Sequence, residues 1–285
     1  MSGGAKPLAP GLYFVATPIG SARDVTLRAL DILKSADVIA AEDTRTLRKL
    51  MKIHDIPLSG RRLIAYHDHN GAQVRPRLLS ALAEGKSLAY ASEAGTPTVA
   101  DPGFVLARAA IAAGRYVTTA PGASAVMAAL TVSGLATDRF LFAGFAPPTS
   151  AARRRYFAGF SDVPATLIFF ESPRRIHKSL ADMALELGED RPAALCRELT
   201  KKFEEVLRTS LGDMCRQLAG RRLRGEIVVL VDRNRAATGD EGLEDALMQA
   251  LKTLSVRDAA TEVAGVLGLP RRKVYQTALK MEKPE

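Results

Sequence analysis

The sequence predicts an α/β fold. A parallel-sheet α/β domain is expected over residues 11–137, a second, mixed-sheet α/β domain over 138–233, and a small helical appendage over 240–285. Three observations carry this reading. Over the first 120 residues, short apolar runs of strand length alternate with leucine stripes at helical spacing. That alternation marks a parallel sheet covered on both faces. In the middle third, strands follow one another more closely, which points to antiparallel pairing within a mixed sheet. The last fifty residues keep one apolar face at helical spacing.

Each element has its own signal. Gly11–Thr17 is an apolar strand, followed by a helical stripe of Leu27, Leu30 and Leu33. Val38–Ala41 is a second strand, and Leu47, Leu50 and Met51 mark the helix after it. Leu63–Tyr66 is a third strand, and Leu78, Leu79 and Leu82 a third helix. Ser87–Ala91 is a buried strand leading through a Pro/Gly-punctuated loop to a helix from Phe104. Val117–Ala120 closes the series before a helix over Ser124–Gly134. Further strands are expected at Phe140–Phe145, Thr166–Phe170, Ala193–Arg197, Glu205–Thr209 and Glu226–Asp232, with helices after Ser150 and after Arg175. Asn234–Gly239 reads as a polar linker. Beyond it, Val256, Ala260, Val263 and Leu267 form one apolar face, Gly268-Leu269-Pro270 a break, and Val274, Ala278 and Met281 a second face. Two readings stay open for these helices: a helix-turn-helix, or a hairpin packed as a cap.

Composition narrows the class. An apolar share of 47% with 25% charged residues is ordinary for a globular protein, and no apolar run approaches the ~20 residues of a membrane helix. Met1–Pro10 is small and polar without a secretory h-region, so cytoplasmic localisation with Cys196 and Cys215 reduced is expected. The net charge of +9 concentrates at Arg153-Arg154-Arg155, Arg174-Arg175, Lys201-Lys202, Arg221-Arg222-Leu223-Arg224 and Arg271-Arg272-Lys273, a distribution suited to a polyanionic partner.

Polar residues gather where the strands end: Thr17-Pro18-Ile19-Gly20, Glu42-Asp43-Thr44-Arg45, His67-Asp68-His69, Ser92-Glu93-Ala94-Gly95 and Pro121-Gly122-Ala123-Ser124. In open α/β sheets that edge is the ligand crevice. The loop after Ala91 carries two carboxylates, Glu93 and Asp101, but neither Gly-x-Gly-x-x-Gly nor Gly-Lys-Ser/Thr. Such a loop suits hydroxyls or a positive group better than phosphates. His67 and His69 offer two imidazoles without a third ligand, so no metal is expected. Arg197–Glu205 reads equally as a solvated hairpin or as a turn presenting Lys201 and Glu204 to a substrate.

Six motifs in order give a resemblance. They are Gly11–Gly20, Ala41–Arg45, Ala94–Pro97 with Asp101-Pro102-Gly103, Pro121–Ala125, Phe170–Arg175 and Arg197–Lys201. Together they resemble the tetrapyrrole-methylase superfamily and, within it, the ribosomal RNA small subunit methyltransferase I group. The first loop departs from that group at Ser21-Ala22, where Asn-Leu is usual, and Glu93 replaces an Asp. The resemblance implies a homodimeric class III methyltransferase with S-adenosyl-L-methionine in an interdomain cleft. It further implies 2′-O-methylation of a cytidine ribose in the decoding region of 16S ribosomal RNA, free or within the small ribosomal subunit. By the resemblance, the cofactor contacts are Pro18, Ser92, Glu93, Ala94, Gly95, Val99, Asp101, Ser124, Ala125, Phe170, Glu171 and Gly225. Asp101 and Lys201 are candidate catalytic groups, chosen among Glu42, Asp43, Asp101, Glu171, Glu198 and Lys201. Arg45, Arg153, Arg154, Arg174, Arg175 and Lys201 are candidate RNA contacts, with Arg155 in the same cluster. A methylase of tetrapyrroles or other small molecules, a methylase of protein side chains and a non-catalytic RNA-binding protein are the competing expectations.

Overall fold

Strand β1 (Gly11–Val15) is the organising element of the first sheet, its side chains alternating between two cores. The structure, a computed structural model, describes residues 7–99, 101–234, 240–267 and 269–282. The first six residues, most of the linker (235–239) and Gly268 of the expected break lie outside the described residues. The chain divides into two packed units. One holds the residues up to Gly134 with Leu195–Leu207 and Leu223–Val229; the other holds Leu135–Ala194, Arg208–Arg222 and the residues from Leu230 onward.

The first unit follows β1 with a 3₁₀ turn (Ala22–Asp24), α1 (Leu27–Ser35), β2 (Val38–Ala41), α2 (Thr44–Ile53), β3 (Leu63–Ala65), α3 (Gly71–Ala83), β4 (Ser87–Ala91), α4 (Gly103–Ala112), β5 (Val117–Ala120) and α5 (Ala125–Ser133). Its sheet runs β3-β2-β4-β1-β5 with every pair parallel. Tyr13 and Val15 pack with Ile32, Leu33, Leu47 and Met51 on one face. Leu12 and Phe14 pack with Leu78, Tyr90 and Leu106 on the other. The helices start on side-chain caps: Thr26 Oγ1 accepts from the Ala29 N–H, and Asp43 accepts from the N–H groups of Arg45 and Thr46. The chain leaves β1 toward one side of the sheet and leaves β4 toward the other. The gap between those two strands is therefore the topological switch point where open α/β sheets take ligands.

The remaining strands are β6 (Phe140–Phe145), β7 (Thr166–Glu171), β8 (Pro192–Arg197), β9 (Glu205–Ser210) and β10 (Ile227–Val231). They form a sheet ordered β6-β7-β10-β8-β9. Strands β6 and β7 are parallel, with α6 (Ser150–Ala158) and α7 (Ile176–Leu187) covering this region. Hydrogen bonds from the Glu198 N–H to the Glu226 carbonyl and from the Asp232 N–H to the Pro192 carbonyl set β8 antiparallel to β10. The Arg197–Glu205 ion pair and the Leu211 N–H to Arg191 carbonyl bond do the same for β8 and β9. The mixed sheet expected from the sequence is present.

One helix was not foreseen. Helix α8 (Leu211–Leu218) begins at Ser210, whose Oγ accepts from the Asp213 N–H. That Ser-x-x-Asp spacing is the signal that would have found it. Beyond the linker, α9 (Asp240–Ala250), α10 (Val256–Leu267) and α11 (Arg271–Glu282) enclose a core of Leu243, Leu247, Ala260, Val263, Val274 and Ala278. Among the described residues, no helix is long and apolar enough to cross a membrane.

Candidate functional site

The strand ends of the first sheet build a site from the backbone upward. After β1, Thr17 forms an antiparallel bridge to Gly95, with N–H···O distances of 2.9 and 3.0 Å in the two directions. Thr17 Oγ1 donates to the Ser92 carbonyl at 3.3 Å, and Ser92 Oγ to the Gly95 carbonyl at 2.6 Å. Gly95 has φ +80°, and a Cβ there would meet Ile19 Cγ2 at 3.2 Å, so a side chain would be strained and crowded. Thr96 Oγ1 donates to the Ala123 carbonyl, joining the loop to the turn that opens α5 at Ser124. Pro18, Ser92, Glu93, Ala94, Gly95, Ser124 and Ala125 are thus assembled on one edge of one sheet. Val99 and Asp101 lie further along the same loop.

The rim is acidic. The Glu93 N–H donates to Glu42 Oε2 at 3.0 Å, so the end of β2 braces the loop after β4. Burial pushes the Glu42 carboxyl up, and Asp101, Asp68 and Asp43 add to it. Burial likewise raises Glu93, with Glu42, Asp43 and Glu226 as negative neighbours. Asp101 is raised by burial, opposed by the N–H bond from Gly103 to its Oδ1 at 2.6 Å. Its other oxygen, Oδ2, is buried without a hydrogen-bond partner among the described residues, as is the Tyr90 hydroxyl at the end of β4. Asp43 goes the opposite way. Hydrogen bonds from Arg45 hold it at about 2, which makes it a helix cap and not a proton acceptor.

These residues fit a cation that also carries hydroxyls. Carboxylates raised by burial and mutual repulsion gain from a positive ligand, and a ligand's hydroxyls need acceptors such as the carboxylates of this rim. A sulfonium bearing an ammonium and a ribose meets both demands.

The end of β8 also belongs to the first unit. Glu198 (φ +52°) and Thr200 (φ +62°) hold the loop after β8 in the left-handed region. The Glu198 carboxylate caps the Glu226 N–H at 2.9 Å and lies over Gly225, where φ is +87° and a Cβ would clash. Lys201 Nζ bonds Glu198 Oε1 at 2.9 Å and Glu226 Oε2 at 3.1 Å. Burial alone would lower the Lys201 pKa, but these two carboxylates outweigh it and the net shift is upward. Lys201 is thus paired with two carboxylates, an arrangement that favours its charged form. The loop packs directly on the first one, since a Cβ on Gly20 would sit 2.5 Å from Thr200 Oγ1 and 2.6 Å from Lys201 Cγ. The Ser21 N–H donates to that Thr200 hydroxyl at 3.2 Å.

The expected RNA contacts divide. Arg45 is 90% exposed beside Asp43. Arg154 and Arg155 are exposed, Arg154 pairing with Glu186. Arg174 is exposed with no ion-pair partner among the described residues. Arg153 is a correction. It is 2% exposed, its guanidinium paired with Asp182 at 2.6 Å and donating to the Pro148 carbonyl, so it cannot reach a phosphate. Arg175 is mostly enclosed, bonded to Glu171 at 2.7 Å and to the Ala146 carbonyl at 3.0 Å. Glu171 is buried and accepts from the Ser179 hydroxyl as well, while Phe170 is half-buried in a cluster of aromatic rings. Both belong to the second unit.

Comparison with known proteins adds matches of three kinds. The model of the tetrapyrrole (corrin/porphyrin) methylases matches residues 11–215, and that of the RsmI C-terminal HTH domain matches 236–282. Ribosomal RNA small subunit methyltransferase I of Mesorhizobium japonicum is 45% identical over 280 residues, covering 98% of this chain and 94% of its own. Among solved structures, the methyltransferase CobJ aligns with a TM-score of 0.61 at 19% identity, over 79% of this chain and 95% of its own. Uroporphyrin-III C-methyltransferase from Thermus thermophilus, complexed with S-adenosylhomocysteine, aligns with a TM-score of 0.54 at 20% identity, over 78% of this chain and 97% of its own.

Proposed function

The chain belongs to the tetrapyrrole methylase family, whose methyl donor is S-adenosylmethionine, and on that premise we propose that it methylates the ribose 2′-hydroxyl of a cytidine in the decoding region of 16S ribosomal RNA. One observation carries the choice of substrate. The likeness to the tetrapyrrole enzymes covers 78–79% of the chain, whereas the likeness to the rRNA methyltransferase of M. japonicum covers 98% and takes in the C-terminal helices. The exposed arginines Arg45, Arg154 and Arg174 and the net charge of +9 support a polyanionic substrate.

When bound, S-adenosylmethionine supplies a methyl carbon activated by its positive sulfur. In this reading Pro18, Ser92–Gly95, Val99, Ser124, Ala125 and Gly225 would hold the donor by backbone and close packing, while Phe170 and Glu171 are contacts implied by the resemblance alone. Glu42 and Glu93 set the negative field that favours a cationic ligand. With the donor bound, Asp101 would accept the proton of the ribose hydroxyl at its carboxylate. A positioned base contributes about 10²–10⁴-fold and alignment several kcal/mol more. Glu198 and Lys201 lock the loop after β8 against Gly20, which keeps the donor loop in place. The resemblance further implies a homodimer.

The test is methyl transfer from radiolabelled S-adenosylmethionine to small ribosomal subunits from cells lacking this protein, beside naked ribosomal RNA and an RNA-free control. Label mapped to a cytidine ribose, and lost in Asp101→Ala, is the expected result. Cofactor binding without label in either RNA would move the substrate to a small molecule or a protein.

A further inference from the structure

Strand β6 is the edge of the second sheet and carries a built irregularity. Its register with β7 pairs Phe142 with Ile168 but Gly144 with Phe169 and Phe145 with Phe170, so Ala143 is an extra residue. A regular strand would point Phe142 and Phe145 to opposite faces. The bulge changes the phase and brings both rings to the face of Phe170, at centroid distances of 4.7 and 5.6 Å from it, edge to face. Gly144 takes φ +71°, the conformation that allows the bulge.

The irregularity is clamped on both sides. The Tyr156 hydroxyl donates to the carbonyl of the extra residue, Ala143. Arg175 donates to the carbonyl of Ala146 at 3.0 Å and is itself fixed by the buried Glu171. All this holds in place a ring that does not enter the core: Phe145 is 56% exposed. Arg174, exposed and without an ion-pair partner among the described residues, adjoins the clamp residue Arg175.

A rigidly held, exposed aromatic ring, with an exposed arginine next in sequence to one of its clamp residues, is what recognition of an unpaired nucleobase uses. The ring offers a π face to the base, and the cation meets the adjoining phosphate. We propose that Phe145, braced by Phe142 and Phe170, is a stacking platform for an unpaired base of single-stranded RNA, with Arg174 contacting the neighbouring phosphate. This rests on the reading that the substrate is RNA, and it assigns the contact to a ring that the sequence alone did not single out. Its signal was present: a lone glycine among aromatics at a strand end marks a bulge.

The experiment measures binding of a fluorescein-labelled, unstructured single-stranded RNA 12-mer to the full chain by anisotropy, beside the duplex of the same sequence. Phe145→Ala and Phe145→Leu are expected to weaken single-strand binding roughly 5- to 150-fold, the range for loss of one base stack, while Phe145→Trp retains it. Arg174→Ala is expected to lower the slope of log affinity against log salt by about 0.7. S-adenosylmethionine affinity by calorimetry should match the unsubstituted protein in all four variants, which also shows that they fold. Wild-type affinity in both Phe145→Ala and Phe145→Leu overturns the proposal. So does a change of molar mass in light scattering with RNA affinity retained, which would make the ring a contact between copies of the chain. Failure of methyl transfer to ribosomal RNA, with the Phe145 dependence intact, would refute the proposed reaction and leave the platform standing.

Discussion

Replacing Arg153 by alanine separates a structural arginine from an RNA-binding one. Arg153 lies in a run of three arginines, yet its guanidinium is buried in the second unit. Nη2 and Nε both reach Asp182 Oδ2, at 2.6 and 2.8 Å, and Nη1 donates to the Pro148 carbonyl at 3.1 Å. Removing one partner of a buried pair costs about 3–5 kcal/mol because the other charge is left uncompensated. Asp182 keeps the Ser150 hydroxyl at 3.1 Å, which places the loss near the lower end, about 3 kcal/mol. For a unit of this size each kcal/mol moves the midpoint about 2–4 °C, so a fall of roughly 6–12 °C is expected. Urea unfolding followed by circular dichroism measures the free energy, and calorimetry the midpoint. The exposed neighbour Arg154→Ala should stay within about 1 kcal/mol of wild type. Arg153→Met with Asp182→Leu should recover most of the loss, since an apolar pair of similar volume needs no desolvation of charge. RNA affinity and its salt slope, read on the folded Arg153→Ala protein, should not change. A loss below about 0.5 kcal/mol, or a flattened salt slope, would refute the reasoning.

The acidic rim predicts a pH dependence. Glu42, Glu93 and Asp101 have raised carboxyl pKa values, so the ligand-free native state holds more protons than the unfolded chain and loses stability as pH climbs through their titration. A cationic ligand prefers the charged rim. Calorimetric affinity for S-adenosylmethionine should therefore rise with pH above the ordinary carboxylate range, and Glu93→Gln should flatten that rise. Gly20→Ala should force the loop after β8 away, because the added Cβ would lie 2.5–2.9 Å from Thr200 Oγ1, Lys201 Cγ and the Leu199 carbonyl. A stability cost of about 1–3 kcal/mol with weakened cofactor binding is expected from unfolding and calorimetric measurements. Lys201→Arg, which keeps the charge between Glu198 and Glu226, should retain most methyl transfer; abolished turnover with the cofactor still bound would assign Lys201 as a base.

Much of this protein is local and was legible as such. The boundaries of β2, β4, β5 and β6 coincide with those expected, and for β2 and β4 the reason is burial: a strand in a covered sheet is apolar along nearly its whole length. The polar strand ends were legible for the same reason: they are where burial stops. What the sequence could not determine depends on pairings distant along the chain. The Thr17–Ser92 hydrogen bond spans 75 positions, and only the strand order β3-β2-β4-β1-β5 brings those two loops together. A run of three arginines reads as one basic cluster, yet helical geometry turns Arg153 inward to Asp182 and leaves Arg154 and Arg155 outside. Lys201 is paired through Glu226, the residue before β10, 25 positions along the chain. Phe145 faces Phe170 because a single bulge shifts the phase of β6, and register is a property of two strands together, never of one.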